Sequence, residues 1–143
     1  MLRRVVTAEA DGAGIFMADA QVVAIDLGEG AKVFEMWRSP APDNLSDIPS
    51  TAASWSVNPP AGGSFFLVAE FPPARGGAEA YMHRTATIDF GIIVEGELTL
   101  GLEQSEKVFH AGDSFVQRQA VHGWINRRSR PAQMAVILID GEQ

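Results

Sequence analysis

Residues 77–96 read GAEAYMHRTATIDFGIIVEG, and residues 112–126 read GDSFVQRQAVHGWIN. The two stretches contain His83 and His122, two of the three histidines in the chain, and the carboxylate of Asp89. Apolar and polar residues alternate around them, and glycines stand at the turns, which is typical of short β-strands. The sequence therefore predicts that its most reactive side chains lie on strands rather than on helices.

The same alternation extends over most of the chain. It predicts about ten or eleven short strands, separated by turn signals roughly every eight to twelve residues. DGAG at 11–14 and GEG at 28–30 are two of these signals, and each is flanked by alternating segments that predict a hairpin. We expect an all-β fold of the sandwich or closed-barrel kind, in which few strand edges stay exposed.

One long segment interrupts the pattern. Residues 39–63 read SPAPDNLSDIPSTAASWSVNPPAGG and contain five prolines, which predicts a loop. Because Ile48 and Trp55 are apolar, we expect this segment to lie across the barrel as a lid with Trp55 docked. The chain is thus expected to be a single domain (1–143), with N-terminal strands at 1–38, a loop or lid at 39–63 and a barrel at 64–143.

Composition excludes several classes of function. The 143 residues include no cysteine, which excludes disulfides and thiol nucleophiles, and we expect a cytoplasmic protein. The net charge of −7 argues against a nucleic-acid partner. No apolar stretch approaches the ~20 residues of a membrane helix, so no membrane partner is expected. A small molecule is the expected ligand.

The two quoted stretches resemble the signature motifs of the cupin superfamily, G-x5-H-x-H-x3,4-E-x6-G and G-x5-P-x-G-x2-H-x3-N. Residues 83–89 (H-R-T-x-T-I-D) and 116–126 (V-Q-R-x-x-x-H-x-W-x-N) are similar to a group of small single-domain bacterial and fungal cupins. The resemblance implies a double-stranded β-helix, or jelly-roll, barrel that carries an N-terminal β-hairpin extension here. It also implies small-molecule chemistry, without naming a substrate.

A strand over Tyr81–Thr87 would point His83, Thr85 and Asp89 to one side, since residues two apart share a face. If the chain pairs as cupins do, His122 lies beside them. Two imidazoles and one carboxylate suit a divalent metal such as Fe, Mn, Zn or Ni. His83, Asp89 and His122 are therefore the predicted metal ligands and catalytic residues. The alternative is a metal-free, hydrogen-bonded cluster of the same three residues that still acts as acid and base.

The sequence departs from the cupin motifs at positions that decide chemistry. Thr85 replaces the second histidine and at best holds a water, and Asp89 replaces a longer glutamate. Arg118 stands where proline is usual, and we expect it at the barrel rim, where it either binds a substrate carboxylate or neutralises Asp89. Tyr81 and Trp124 share faces with the two histidines, so Tyr81, Thr85, Arg118 and Trp124 are the predicted substrate-binding residues.

Two readings of function stay open. The first is an enzyme of the oxygenase, isomerase or decarboxylase type that uses the metal, and the second is a non-catalytic barrel that binds a small ligand. We also expect a homodimer, since Val22–Ile25 and Val33–Trp37 carry more apolar surface than one small barrel needs. The aromatic residues of the barrel, among them Phe66 and Phe90, are expected mostly in the core.

Overall fold

The computed structural model describes residues 2–40 and 56–141, which form eleven β-strands. They are β1 Leu2–Ala10, β2 Ala13–Val22, β3 Ile25–Gly28, β4 Ala31–Ser39, β5 Ser64–Phe71, β6 Thr87–Glu95, β7 Glu97–Gly101, β8 Glu106–His110, β9 Ser114–Arg118, β10 Gly123–Ile125 and β11 Ala132–Asp140. Within these ranges no helix is long and apolar enough to cross a membrane.

The strands form two antiparallel sheets that enclose one core, plus a separate hairpin. The larger sheet has the order β3-β4-β5-β11-β6-β9, and the smaller has the order β10-β7-β8. Side chains of both sheets share a buried cluster that includes Phe65, Ile93, Leu98 and Val136. This is the predicted jelly-roll barrel, and the β1–β2 hairpin is the predicted N-terminal extension.

The turn of that hairpin shows why its sequence signal is strong. Asp11 and Gly12 join β1 to β2 with φ angles of 51° and 80°. Positive φ at both central residues defines a type I′ turn, whose twist matches that of the paired strands. Asp–Gly is one of the few residue pairs that tolerate it, so the hairpin was predictable from DGAG.

The expected strand over residues 81–87 was wrong, and the expectation that the aromatic residues of the barrel lie mostly in the core holds with two exceptions. Tyr81–Ala86 is not a strand, because it pairs with the rest of the chain only through one bridge, His83 to His122. Phe66 and Phe90 are not core residues, since they are 40% and 46% exposed. Both point to the outer face of the large sheet, where alternation places every second side chain.

The predicted lid lies mostly outside the described residues, including Ile48 and Trp55. Its described end, residues 56–63, is tied to the barrel. Gly62 N donates to Asp140 Oδ2 at 2.7 Å, and Asp140 N donates to Gly63 O at 2.9 Å. Residues 62 and 63, just before β5, are thereby held against the end of β11.

Candidate functional site

A cavity of about 600 Å³ opens between the two sheets. Its walls are mainly apolar and come from strands β4, β5, β9, β10 and β11. Among the wall residues are Val33, Leu67, Phe115, Trp124, Met134 and Val136. Polar side chains gather in one part of the lining, where His83, Thr85, Asp89 and His122 meet. An apolar pocket with a few convergent polar groups is the usual form of a small-molecule site.

The two histidines are brought together by their own backbones. His83 N donates to His122 O at 2.8 Å, and His122 N donates to His83 O at 2.9 Å. Directly opposed residues of an antiparallel pair point to the same side, and the ring centroids lie 4.6 Å apart. The close passage needs Gly123, because a Cβ at that position would overlap the Tyr81 carbonyl oxygen.

Hydrogen bonds define the tautomer of both imidazoles. His122 Nδ1 lies 2.8 Å from Ala120 O, and His83 Nδ1 lies 3.3 Å from Tyr81 O. A carbonyl oxygen only accepts, so each Nδ1 carries the proton and donates it. The Nε2 atom of each neutral ring then carries a lone pair, which is available to bind a proton or a cation.

Asp89 is buried on β6 and belongs to a chain of hydroxyls. Thr87 Oγ1 lies 2.6 Å from Asp89 Oδ1 and 2.9 Å from Thr85 Oγ1. Burial raises the pKa of Asp89, and this rise is only partly offset by the Thr87 hydrogen bond and by the two histidines. Thr85 and Asp89 both line the cavity, so this hydroxyl chain joins two side chains of the same lining.

The predicted three-residue metal set does not fit this geometry. Within residues 2–40 and 56–141, no three histidine, cysteine, aspartate or glutamate side chains are close enough to hold a metal ion together. His83 and His122 offer two nitrogen donors. Asp89 Oδ1 is engaged by the Thr87 hydroxyl, and burial raises the pKa of the Asp89 carboxyl.

The other predicted substrate-binding residues separate into two groups. Tyr81, Thr85 and Trp124 all line the cavity, and the Tyr81 ring stacks on His83 with centroids 5.8 Å apart. Arg118 is not among the lining residues; it is exposed on β9, on the side opposite its buried neighbour Gln117. Because side chains alternate along a strand, Gln117 points inward and Arg118 points outward.

Arg84 is the cationic side chain that lines the cavity, although the strand pattern assigned it to the outward face. Its Nε donates to Gln119 O at 2.8 Å. The two terminal nitrogens lie on the edge of the guanidinium that faces away from Nε. The segment around it is not a regular strand, and the side chain therefore reaches the cavity rim. The sequence carried no signal for this role.

Arg38 holds one wall of the cavity in place. This buried guanidinium donates to Asn58 O at 2.8 Å and to Ser56 O, and its Nε donates to Glu35 Oε1 at 2.5 Å. Val57 and Asn58 line the cavity, so the described end of the predicted lid is part of the site. A buried charge needs such partners, and here they are the Glu35 carboxylate and two backbone carbonyls of the segment that Arg38 fixes.

Asn126, the last residue of the second motif, acts outside the cavity. Its Nδ2 donates to Phe71 O at 3.0 Å and to Arg130 O at 2.7 Å, and its Oδ1 accepts from Arg128 N at 2.9 Å. These bonds attach the turn after β10 to the end of β5. The role of this motif residue is structural.

Comparison with known proteins agrees with the fold. The family model described as Cupin_2, a cupin domain, matches residues 67–138. The chain is 39% identical over 89 residues to Phomopsin biosynthesis cluster protein C' of Diaporthe leptostromiformis, covering 59% of this chain and 45% of that protein. It is 39% identical over 82 residues to the cupin-domain-containing oxidoreductase srdD of Neurospora crassa, covering 54% and 40%. The chain thus spans less than half of these curated relatives.

Solved structures share the architecture at low sequence identity. An RmlC-like cupin from Shewanella frigidimarina superposes with a TM-score of 0.56 at 20% identity, covering 86% of this chain and 87% of that one. KdgF from Halomonas sp. gives a TM-score of 0.55 at 15% identity, covering 82% and 87%. At these identities the likeness shows the fold alone.

Proposed function

The chain belongs to the Cupin_2 family of cupin domains, and from this premise we propose that it is a small-molecule enzyme. Its substrate has a largely apolar body and an oxygen-bearing group that meets His83, Asp89 and His122. The observation that carries the proposal is the position of these three side chains in the lining of an otherwise apolar cavity. Some of the relatives have names that include the word oxidoreductase, which supports an enzyme over a non-catalytic binding module.

The chemistry that this geometry supports best is proton transfer. A desolvated Asp89 holds a proton more tightly than a solvated carboxyl, and the Thr87–Thr85 hydroxyls extend from it to the cavity. The free Nε2 of His122 or His83 accepts a proton from substrate. One group that donates a proton and a second group that accepts one are sufficient for isomerase or decarboxylase chemistry.

A divalent metal, whether Fe, Mn, Zn or Ni, stays a second proposal for the same cavity. The two Nε2 atoms would be its nitrogen donors. When bound, it would polarise a substrate oxygen, and a redox-active metal such as Fe or Mn would also supply the electron transfer that an oxygenase requires. The relatives named as oxidoreductases favour this candidate. No step of the proton-transfer proposal depends on this metal. Cytoplasmic location likewise stays a prediction.

The rim of the cavity suggests the class of substrate. The terminal nitrogens of Arg84 offer a planar, two-pronged donor edge that suits a carboxylate. We therefore expect organic acids with an aromatic or aliphatic body to bind. Binding of the fluorescent apolar anion 8-anilinonaphthalene-1-sulfonate should weaken at least ~10-fold in Arg84→Gln. Arg118→Gln, at an exposed arginine outside the cavity, is the matched control.

Catalysis is tested with phenylpyruvate in D2O, since exchange of its benzylic protons reports proton transfer next to a carbonyl. The wild-type protein should accelerate the exchange seen by proton NMR. His122→Ala and Asp89→Asn should each slow it by about 100-fold, whereas His110→Ala, at an exposed histidine, should not. Phenylpyruvate that binds without any accelerated exchange would refute this proposal and favour the binding module.

A further inference from the structure

The backbone turn that follows β9 contains a residue in the left-handed conformation. Gln119 has a φ of 56° and lies between β9 of the large sheet and β10 of the small one. In the described part of the chain, the other non-glycine residues with positive φ are Asp11 and Glu29, which lie in hairpin turns where such angles are usual. A left-handed backbone costs free energy in a residue with a Cβ, so it persists only where the surrounding structure enforces it.

The length and composition of this connection explain its unusual backbone. In the second cupin signature the histidine stands five residues after the proline, whereas His122 stands four residues after Arg118, which occupies the proline position. Ala120 occupies the glycine position, so no glycine lies between Arg118 and His122. A shorter connection reverses direction within fewer residues, and here a glutamine adopts the conformation that glycine takes most easily.

The turn directs two consecutive backbone carbonyls towards the site. Gln119 O accepts a hydrogen bond from Arg84 Nε at 2.8 Å, and Ala120 O accepts one from His122 Nδ1 at 2.8 Å. The first bond fixes a guanidinium at the rim of the cavity, and the second fixes the tautomer of a cavity histidine. Two neighbouring carbonyls of one turn therefore hold the expected carboxylate-binding residue and one of the two imidazoles.

Ala120 O has a second donor on the buried side of the turn. Gln117 is 5% exposed on β9, and its Nε2 donates to Ala120 O at 3.4 Å. Gln117 also lies directly opposite Asp89 on β6, and directly opposed residues of an antiparallel pair point to the same side. The carbonyl that orients His122 is therefore held by a side chain that lies beside the buried carboxyl.

The side chain of Gln119 attaches the irregular segment 81–86 to the same turn. Its Nε2 donates to Ala86 O at 3.4 Å, and Ala86 O also accepts from Gly141 N at 2.9 Å. Residues 81–86 form no regular ladder, so their polar backbone groups need other partners. Together with the bond from Arg84, this contact joins the segment to the turn at two points.

We propose that the turn formed by Gln119 and Ala120 is the positioning element of the site, and that the left-handed backbone of Gln119 sets the orientation of Arg84 and His122 together. An extended φ at Gln119 would rotate the two peptide planes that follow it, and both carbonyls would leave their donors. Gln119 is a positioning residue, since it acts through groups that meet the substrate. Its effect on turnover rests on the proposed function, whereas its effect on the His122 tautomer does not.

Gln119→Val and Gln119→Gly test the proposal as a matched pair. Both substitutions remove the side-chain amide, but a β-branched residue strongly disfavours positive φ and glycine adopts it freely, so their difference reports the backbone alone. Long-range proton–nitrogen NMR spectra at about pH 8, where histidine is ordinarily neutral, identify the protonated ring nitrogen. The wild type and Gln119→Gly should show His122 protonated at Nδ1, and Gln119→Val should show a mixture of both tautomers.

Two further measurements follow the same pair of variants. Gln119→Val should weaken anilinonaphthalene sulfonate binding at least ~5-fold, because Arg84 loses the carbonyl that fixes it, and Gln119→Gly should stay within about twofold of the wild type. In the phenylpyruvate exchange assay, Gln119→Val should lower kcat about 10-fold. A wild-type protein that does not accelerate exchange would refute the proposed function, while the tautomer and the probe affinity would still decide this inference.

Asp11→Val is the control for general loosening, because it places a β-branched residue at a positive φ in the β1–β2 turn. It should leave the His122 tautomer unchanged, and an equal change there would overturn the proposal. A wild-type tautomer and probe affinity in Gln119→Val would also overturn it. So would equal losses in Gln119→Gly, since the amide rather than the backbone would then hold the site. Gln119→Thr, β-branched but polar, provides the same comparison if Gln119→Val does not fold.

Discussion

His83 and His122 exchange both of their backbone hydrogen bonds, at 2.8 and 2.9 Å, although they belong to different motifs. This pairing, rather than a shared strand, holds the two rings 4.6 Å apart in the cavity. Since each Nδ1 is bound to a backbone carbonyl, both imidazoles present Nε2. The two histidines therefore form a preformed pair. Its chemistry depends on which further group or ion binds beside it in the cavity.

A third histidine should complete a metal site. Thr85 lines the same cavity as the pair, so Thr85→His should raise the affinity for Ni(II) or Zn(II) at least ~10-fold over the wild type. Equilibrium dialysis followed by elemental analysis measures this. Ala86→His adds the same side chain at an exposed neighbour and should gain much less. Equal gains at both positions would mean that the site is not preformed.

Asp89 should make the wild-type protein less stable as pH rises. Burial raises its folded pKa, so the folded state holds the proton more tightly than the unfolded state. The stability from this group is full below the unfolded pKa of about 3.9 and is lost as pH rises through the folded pKa. Asp89→Asn stays uncharged and should lack this loss, so its stability relative to the wild type should rise as pH rises.

Urea denaturation between roughly pH 4 and 8 checks this sign. Asp19→Asn is the control, because the hydrogen bond from Arg3 lowers the pKa of Asp19. The contribution of Asp19 to the stability of the wild-type protein is present above its unfolded pKa. It is lost as pH falls through its folded pKa. A parallel pH profile for wild type and Asp89→Asn would show that the carboxyl is not desolvated.

Gly91 should tolerate no larger residue. A Cβ there would overlap the Phe115 ring, which lies directly opposite on β9 and lines the cavity. Gly91→Ala should therefore cost about 1–3 kcal/mol of unfolding free energy and reduce anilinonaphthalene sulfonate binding by displacing the ring. Gly14→Ala, in β2, has open space around its Cβ and should be neutral or slightly stabilising. Comparable losses at both glycines would contradict this.

Asn126 should matter for stability more than for ligand binding. Asn126→Ala leaves Phe71 O, Arg130 O and Arg128 N without their side-chain partner, which should cost about 1–3 kcal/mol in thermal or urea unfolding. Probe binding per folded molecule should stay within about twofold of the wild type. Asn58→Ala, at an exposed asparagine on the cavity wall, should show the reverse pattern. A binding defect in stable Asn126→Ala protein would place this residue in the site.

Much of the fold was predictable because it depends on local signals. Alternation and turn chemistry acted over a few residues, so DGAG and the flanking segments were enough to predict the β1–β2 hairpin. The two motifs predicted the barrel. His83, Thr85 and Asp89 all line the cavity, although the strand from which their shared side was predicted does not extend over residues 81–86.

Sequence alone therefore determined most of the strand pattern, because it follows from the two-residue period of a strand. The resemblance of the two motifs to the cupin signatures implied the jelly-roll barrel. Tertiary structure decided the rest. The distances among donors, the desolvation of Asp89 and the Thr87 bond depend on how the sheets pack. Whether Phe90 is core or surface, and whether Arg84 or Arg118 reaches the cavity, depends on what covers each face, which no local pattern contains.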